Sequence, residues 1–176
     1  MPENTAAGLC YTSGTTGNPK GALYSHRSTV LHALTTSLNL GPSLGDGMKV
    51  LPVVPLFHVN AWGLPYAAPL TGTSLIFPGP NLDGASLFDL MDQENVNSAW
   101  GVPTVWLGLL EEIRKQERVP SQFQNVVIGG SAAPKSMIEE FESLGITVCH
   151  AWGMTEMSPV GTQGFLPGSM KKALSQ

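Results

Sequence analysis

The sequence predicts an α/β protein: a layered, mostly parallel sheet with flanking helices. Short apolar runs that read as buried strands alternate with stretches whose apolar residues recur at helical spacing. Between them fall Gly and Pro, 20 and 14 of the 176 residues. Alternation of this kind favours crossover units, and in such sheets ligands bind beyond the carboxyl ends of the strands.

The elements follow in order. Gly8 to Ser13 reads as a short strand, and after a brief extended piece Ser25 can cap a helix. Val30, Leu31, Leu34 and Leu38 would share that helix's apolar face. Lys49 to Phe57 reads as a buried strand running into a Pro-bounded turn, Val59 to Ala68 as a second apolar helix, and "TSLIF" as the next strand. Asp83 starts a short helix through Met91, and "VNSAWG" is a strand. Pro103 suits the first residue of a helix whose apolar face is Val105, Trp106, Leu109, Leu110 and Ile113. The stretch "EEIRKQER" at its end reads as a solvated surface. "NVVIGG" is a buried strand, Lys135 to Leu144 a helix, "ITVCH" the last strand and "AWGMTEMS" the loop after it.

Composition narrows the function classes. Apolar residues make up 42% of the chain and charged residues 12%, about half the usual share of roughly 25%. Sparse charge predicts a piece of something larger, whose faces are covered by neighbouring segments. The net charge of −4, with no basic stripe and no aromatics interleaved with Lys or Arg, argues against a nucleic-acid partner. Cys10 and Cys149 show neither metal-ligand spacing nor a disulfide framework, which suits a reducing cytosol. No apolar run approaches the roughly 18 residues of a membrane span, and there is no signal peptide, so the expectation is a soluble, cytoplasmic protein.

Three loops at predicted strand ends carry unusual chemistry: Thr12 to Gly21, Gly129 to Pro134 and Trp152 to Glu156. In the first, "YTSGTTGNPKG", glycines let backbone N–H groups turn toward a ligand, while four hydroxyls and Lys20 add donors for anionic oxygens. It is not the P-loop of NTPases, because Pro19 precedes Lys20 and Gly21 follows it, leaving no Mg-binding hydroxyl after the lysine. Neither His26 and His32, six apart, nor Cys149 and His150, without a third partner, forms a metal or nucleophile set.

"YTSGTTGNPKG" resembles the phosphate-binding signature of the adenylate-forming (AMP-binding) superfamily of acyl-CoA synthetases, luciferases and peptide-synthetase adenylation domains. "GGSAAP" (Gly129 to Pro134) resembles its adenine-contacting strand end, and "AWGMTE" (Ala151 to Glu156) its aromatic-Gly-x-Thr-Glu motif. "VVPLFHVNAWGLPYAAPL" and "GVPTVWLGLL" are most similar to medium- and long-chain fatty acyl-CoA synthetases. The resemblance implies that Thr12, Ser13, Thr15, Thr16 and Lys20 surround the β- and γ-phosphates of ATP, with Gly14 and Gly17 letting the loop close. It places Gly130, Ser131, Ala132 and Ala133 around the adenine and Trp152 against it, where many relatives have Tyr, with Gly153 in the same motif. Thr155 would contact the α-phosphate and Glu156 would ligate Mg²⁺. His58 would lie near the substrate carboxylate and Trp62 would gate a tunnel for the acyl chain.

The implied reaction joins a fatty carboxylate to ATP as acyl-adenylate and then to coenzyme A, with Lys20, Thr155 and Glu156 as the catalytic group. An aryl, short-chain or sulfur-containing acid would use the same nucleotide loops, and a non-catalytic nucleotide-binding remnant is the other alternative. Relatives carry a ribose-binding aspartate and a lid lysine beyond the Thr-Glu motif; neither is found after Glu156. Residues 1–176 are therefore expected to be the central part of an AMP-binding domain, without its N-terminal part and C-terminal lid, and to have little activity alone. The full-length parent can be a homodimer.

Overall fold

The computed structural model describes residues 2–13, 17–40 and 43–164. The chain begins with β1 (Ala6–Thr12) and β2 (Lys20–Ser25), an antiparallel hairpin in which Thr12 pairs with Lys20. This hairpin forms its own two-stranded sheet. Thr12 and Lys20, which bound the expected phosphate loop, thus belong to an antiparallel hairpin and not to the carboxyl end of a parallel strand.

The main sheet has six strands in the order β4-β3-β5-β6-β7-β8. β3 (Lys49–Pro52), β4 (Ser74–Leu75), β5 (Ser98–Gly101), β6 (Asn125–Ile128) and β7 (Thr147–Gly153) run parallel, as the alternation of elements predicts. β7 continues through Ala151, Trp152 and Gly153, residues expected in a loop, and an antiparallel β8 (Val160–Gly164) follows it. β8 escapes sequence reading because "VGTQG" has neither an apolar run nor clear alternation. The "TSLIF" strand is reduced to two residues because only Ser74 and Leu75 pair with β3.

Register sorts the side chains onto two faces. Leu51, Ala99, Val126 and Val148 stand side by side across four strands and enter the larger core. That face is covered by α4 (Gly84–Gln93), α5 (Pro103–Gln116) and α6 (Lys135–Ser143) through Phe88, Trp106, Leu109 and Phe141. Asp83 caps α4, its carboxylate accepting from the Ser86 backbone N–H at 3.0 Å; the bonds from Ser86 hold this carboxyl below its usual range. The charged end of α5 is more than solvated surface. Arg114 makes two 2.7 Å bonds to Glu140 of α6, and Arg118 pairs with Asp92 of α4 while lying over the Phe88 ring.

The opposite face carries Val50, Trp100, Val127 and Cys149 into a smaller core, under α1 (His26–Asn39) and α3 (Leu64–Thr71). Ser25 caps α1 as expected, in a capping box with Ser28. The face that α1 buries is not the expected one. His32, Ala33 and Thr36 point inward, whereas Val30, Leu31, Leu34 and Leu38 are exposed, Leu38 by 83%. The reason is close approach: α1 meets the chain at Gly63, where a Cβ would come within 2.5 Å of the His32 ring. Only the small and slender side of α1 fits so near.

Val59 to Ala68 is not one helix either. Val59, Asn60, Ala61 and Trp62 all take φ between 46° and 57°, so α2 (Val59–Trp62) is a single left-handed turn, and Gly63 at φ +78° redirects the chain into α3. Left-handed conformation costs a non-glycine residue about 1–2 kcal/mol. Apolar periodicity carries no record of handedness, so this turn reads as ordinary helix in the sequence. It is held by burial of Val59 and Ala61 and by the bonds Ala61 N–H to His58 C=O and Gly63 N–H to Asn60 C=O.

Burial lowers the His32 pKa from 6.5 to about 4. The folded chain therefore holds this imidazole neutral, while the unfolded chain takes up a proton below pH 6.5. The associated stability is fully present above pH 6.5 and is lost as pH falls toward 4. We expect a loss of about 2 kcal/mol between pH 7 and pH 5, read from urea midpoints. His32→Gln should flatten this pH dependence; an unchanged slope would refute the assignment to His32.

Candidate functional site

A cavity of about 220 Å³ lies on the α1/α3 side of the sheet, at the carboxyl ends of the parallel strands. Small residues at the ends of β6 and β7 leave room for it. Gly129 and Gly130 follow β6 directly; at Gly129 a Cβ would stand 3.1 Å from the Trp62 indole, so the tryptophan lies on the strand end. Gly130 has φ +78°, and a Cβ there would meet Val102 at 2.9 Å. The left-handed turn thus delivers half-buried Trp62 across the first residues of "GGSAAP". His58, which immediately precedes the turn, is exposed at the same cavity.

The third wall is the end of β7 and the 3₁₀ turn after it, Thr155–Met157. Trp152 has one side over Gly161 of β8, where a Cβ would come within 2.6 Å of the ring, and remains 54% exposed. An indole backed on one side and open on the other can stack on a planar ligand. Gly153 lets β8 come close, since a Cβ would meet the Pro159 carbonyl at 2.1 Å. That carbonyl accepts a 3.0 Å bond from the Met154 N–H. Thr155 is buried, and its carbonyl accepts a bond from the Tyr24 hydroxyl of β2. Burial, Cys10 and the Glu156 charge all push the Tyr24 phenol upward, so it stays a neutral donor.

The structure thus brings His58, Trp62, Gly130, Trp152, Gly153 and Thr155 around one cavity. Other expected site residues lie outside its lining. Lys20 is exposed at the start of β2, Thr12 is half-buried opposite it, and Ser13 and Gly17 are exposed. Gly14, Thr15 and Thr16 lie outside the described residues. Ser131 and Ala132 are exposed, and Ala133 packs against the larger core. Glu156 is exposed beside Thr155. Among the described residues no group of three His, Cys, Asp or Glu side chains could hold a metal. A single exposed carboxylate nonetheless fits Mg²⁺, which commonly takes one or two carboxylates and completes its shell with substrate phosphates and water.

Sequence reasoning missed Tyr24, Trp100 and Gln163, the last two also lining the cavity. Trp100 sits in a strand and Gln163 in a featureless stretch, so neither shows a chemical pattern. Burial raises the Cys149 thiol to about 11, in keeping with a structural residue.

The cavity lies where α/β sheets commonly hold ligands, at the carboxyl ends of parallel strands, and it is edged by glycines and an open indole. The chain belongs to the AMP-binding enzyme family, whose model matches residues 1–175. It is 57% identical over 163 residues to a medium-chain-fatty-acid–CoA ligase from Ectopseudomonas oleovorans, covering 92% of this chain and 30% of that one. It is 53% identical to a 3-methylmercaptopropionyl-CoA ligase from Ruegeria pomeroyi, covering 92% and 30%. Among solved structures it resembles the o-succinylbenzoate coenzyme A synthetase of Bacillus subtilis in complex with ATP and magnesium ion. There the TM-score is 0.83 at 26% identity, covering 100% of this chain and 35% of the other. The chain spans about 30% of the length of the curated relatives it matches.

Removing the Tyr24 hydroxyl leaves the Thr155 carbonyl without that partner. Tyr24→Phe should cost about 1–3 kcal/mol and speed amide hydrogen exchange chiefly at Met157 and Ser158. Protection unchanged in that turn would contradict the tie.

Proposed function

We propose that this chain is the central part of the AMP-binding domain of an acyl-CoA synthetase that activates a medium- or long-chain fatty acid. The observation that carries the reading is the single cavity where residues of the expected acyl side, His58 and Trp62, meet those of the nucleotide side, Gly130, Trp152 and Thr155. On this reading the adenine stacks on the open side of Trp152 beside Gly130 and Gly153. Thr155 then faces the α-phosphate, and the hairpin tip with Thr12, Ser13, Gly14, Thr15, Thr16, Gly17 and Lys20 holds the outer phosphates. His58 lies by the substrate carboxylate, and Trp62, resting on Gly129, stands between the two sides.

In the first half-reaction a carboxylate oxygen bonds to the α-phosphorus of ATP while the bond to pyrophosphate breaks. In the second, the coenzyme A thiol bonds to the acyl carbonyl and AMP leaves. Mg²⁺, held by Glu156 and the phosphates, would supply charge neutralisation. Lys20 and the hairpin's N–H and O–H donors would offset the charge that accumulates when two anions meet. The exposed apolar stripe of α1, together with exposed Leu9, Tyr11 and Leu23 of the hairpin, fits a chain that packs against more of such a domain. Among the described residues no helix is long and apolar enough to cross a membrane, and we place the protein in the cytoplasm.

The relative that acts on 3-methylmercaptopropionate favours a second reading, a sulfur-containing acid at the same site. An ATP–pyrophosphate exchange assay on the full-length protein carrying this segment, run over a panel of carboxylates, separates the two. Straight-chain acids of about eight carbons or more are expected to drive exchange best. Exclusive response to methylthio acids would install the second reading, and exchange with no acid would overturn both. Lys20→Ala should lower exchange by about 10²–10³-fold, and residues 1–176 alone should release little AMP.

A further inference from the structure

The residues assigned to the phosphates come from two backbone units. Thr12 and Lys20 belong to the antiparallel hairpin, whereas Thr155 and Glu156 follow the end of β7 in the main sheet. Among the described residues no strand pairing joins the two sheets. Their relation at the site rests on packed side chains and on a buried bond from the Tyr24 hydroxyl to the Thr155 carbonyl. Tyr24 and Thr155 are both buried.

Strand alternation sets which face of the hairpin carries its polar residues. Cys10 and Tyr24 face the small core shared with Val59, and Ala22 packs against it. Thr12 lies two residues beyond Cys10 and Lys20 two before Ala22, so both extend that same face. Leu9, Tyr11 and Leu23 occupy the other face and are exposed. Lys20 lies about 14 Å along β2 from Tyr24, four residues at roughly 3.4 Å each. At the other end of the bond, Glu156 adjoins Thr155; burial above all pushes the Tyr24 phenol upward, and the Glu156 charge adds to it. Tyr24 thus stands between Lys20 on its own strand and Thr155 and Glu156 on the turn after β7.

We propose that Tyr24 is a positioning residue for the triphosphate: its hydroxyl fixes the hairpin face bearing Thr12 and Lys20 against the Thr155–Glu156 turn, so that one MgATP engages both. The inference rests on the acyl-CoA synthetase reading and adds to it a residue outside the cavity lining. A ligand held by one unit alone is indifferent to how the two units are spaced. A ligand that spans them binds better when the spacing is already set. Its second set of contacts then forms at high effective concentration, with no ordering cost left to meet. On the proposed reading AMP, with its single phosphate, is of the first kind and reaches only Trp152, Gly153 and Thr155. ATP is of the second kind, since its outer phosphates reach Thr12 and Lys20. The turn also has supports that do not involve Tyr24: Met157 N–H donates to the Met154 carbonyl at 2.9 Å, and Met154 N–H to the Pro159 carbonyl at 3.0 Å. Loss of the hydroxyl therefore leaves the AMP contacts in place and acts on the span between the units.

The test uses the full-length protein carrying this segment and measures binding of AMP and of MgATP by titration calorimetry. No carboxylic acid is present, so no adenylate forms. Tyr24→Phe keeps the ring that fills the core and removes only the hydroxyl. It is expected to raise the Kd for MgATP by about tenfold, equivalent to about 1.4 kcal/mol, and that for AMP by less than about twofold. Replacing Tyr24 by 4-aminophenylalanine, whose N–H can donate to the same carbonyl, should restore the wild-type ratio of the two constants. Replacement by 4-fluorophenylalanine, similar in size but without a donor, should not. This pair keeps the test sound if Tyr24→Phe fails to fold. A general loosening of the fold would weaken both nucleotides alike. Equal losses of AMP and MgATP, a ratio that no variant moves, or a ratio that 4-aminophenylalanine fails to restore overturns the inference while leaving the synthetase reading intact. Wild-type protein that binds neither nucleotide overturns both together.

Discussion

The structure depends on how unevenly the two faces of one parallel sheet are covered. Strands buried on both faces must satisfy two layers at once, because neighbouring residues point in opposite directions. On one side, Leu51, Ala99, Val126 and Val148 meet α4, α5 and α6, and the packing is dense, with Phe88, Trp106 and Phe141 almost wholly out of water. On the other, α1 and α3 cover the sheet with smaller side chains, Ala33, Leu64 and Ala67. Close-packed interiors leave few voids, so a cavity persists where the cover is thin and its lining small. Here that place is the carboxyl end of β6 and β7, with Gly129, Gly130 and Ala151.

The thin cover needs an unusual connection. A right-handed helix running on from His58 into α3 would not set Trp62 across the end of β6. The left-handed turn of Val59 to Trp62 does so, and its backbone cost is offset by burial of Val59 and Ala61 and by the glycine that ends it. Gly63 serves two ends at once: its positive φ restarts the chain as α3, and its missing side chain admits His32. The same contact that turns Trp62 toward the cavity therefore turns the leucines of α1 outward.

These couplings decide what could be read from the residues alone. Asp83, Ser25 and Pro103 announce their helices through local chemistry at the caps, and the buried runs around Val50, Val126 and Val148 announce parallel strands. Local signals of this sort survive any tertiary context. The buried side of α1 does not, because it is set by what the helix packs against: His32 and Thr36 lie inward though Leu34 and Leu38 are more apolar. β8 is equally silent, since its place comes from pairing with β7 and from the glycines that let Trp152 and Pro159 approach. The glycine-rich, hydroxyl-rich and aromatic loops are legible because their chemistry is local. Tyr24 is not, as its meaning lies in a bond to Thr155 across 131 residues of chain.

That bond also shows how two separate sheets can carry one site. The hairpin bearing Lys20 is not hydrogen-bonded into the main sheet, so its position relative to the cavity must be fixed by side chains. Cys10, Tyr24 and Val59 form a small core between the hairpin and the left-handed turn, with Trp62 packed against it. Tyr24 adds a directed link to Thr155, the buried residue at the cavity wall. One side of Trp62 thus answers to the hairpin and another to the end of β6. The hairpin and the left-handed turn thus share one small core, Cys10, Tyr24 and Val59, beside the cavity wall.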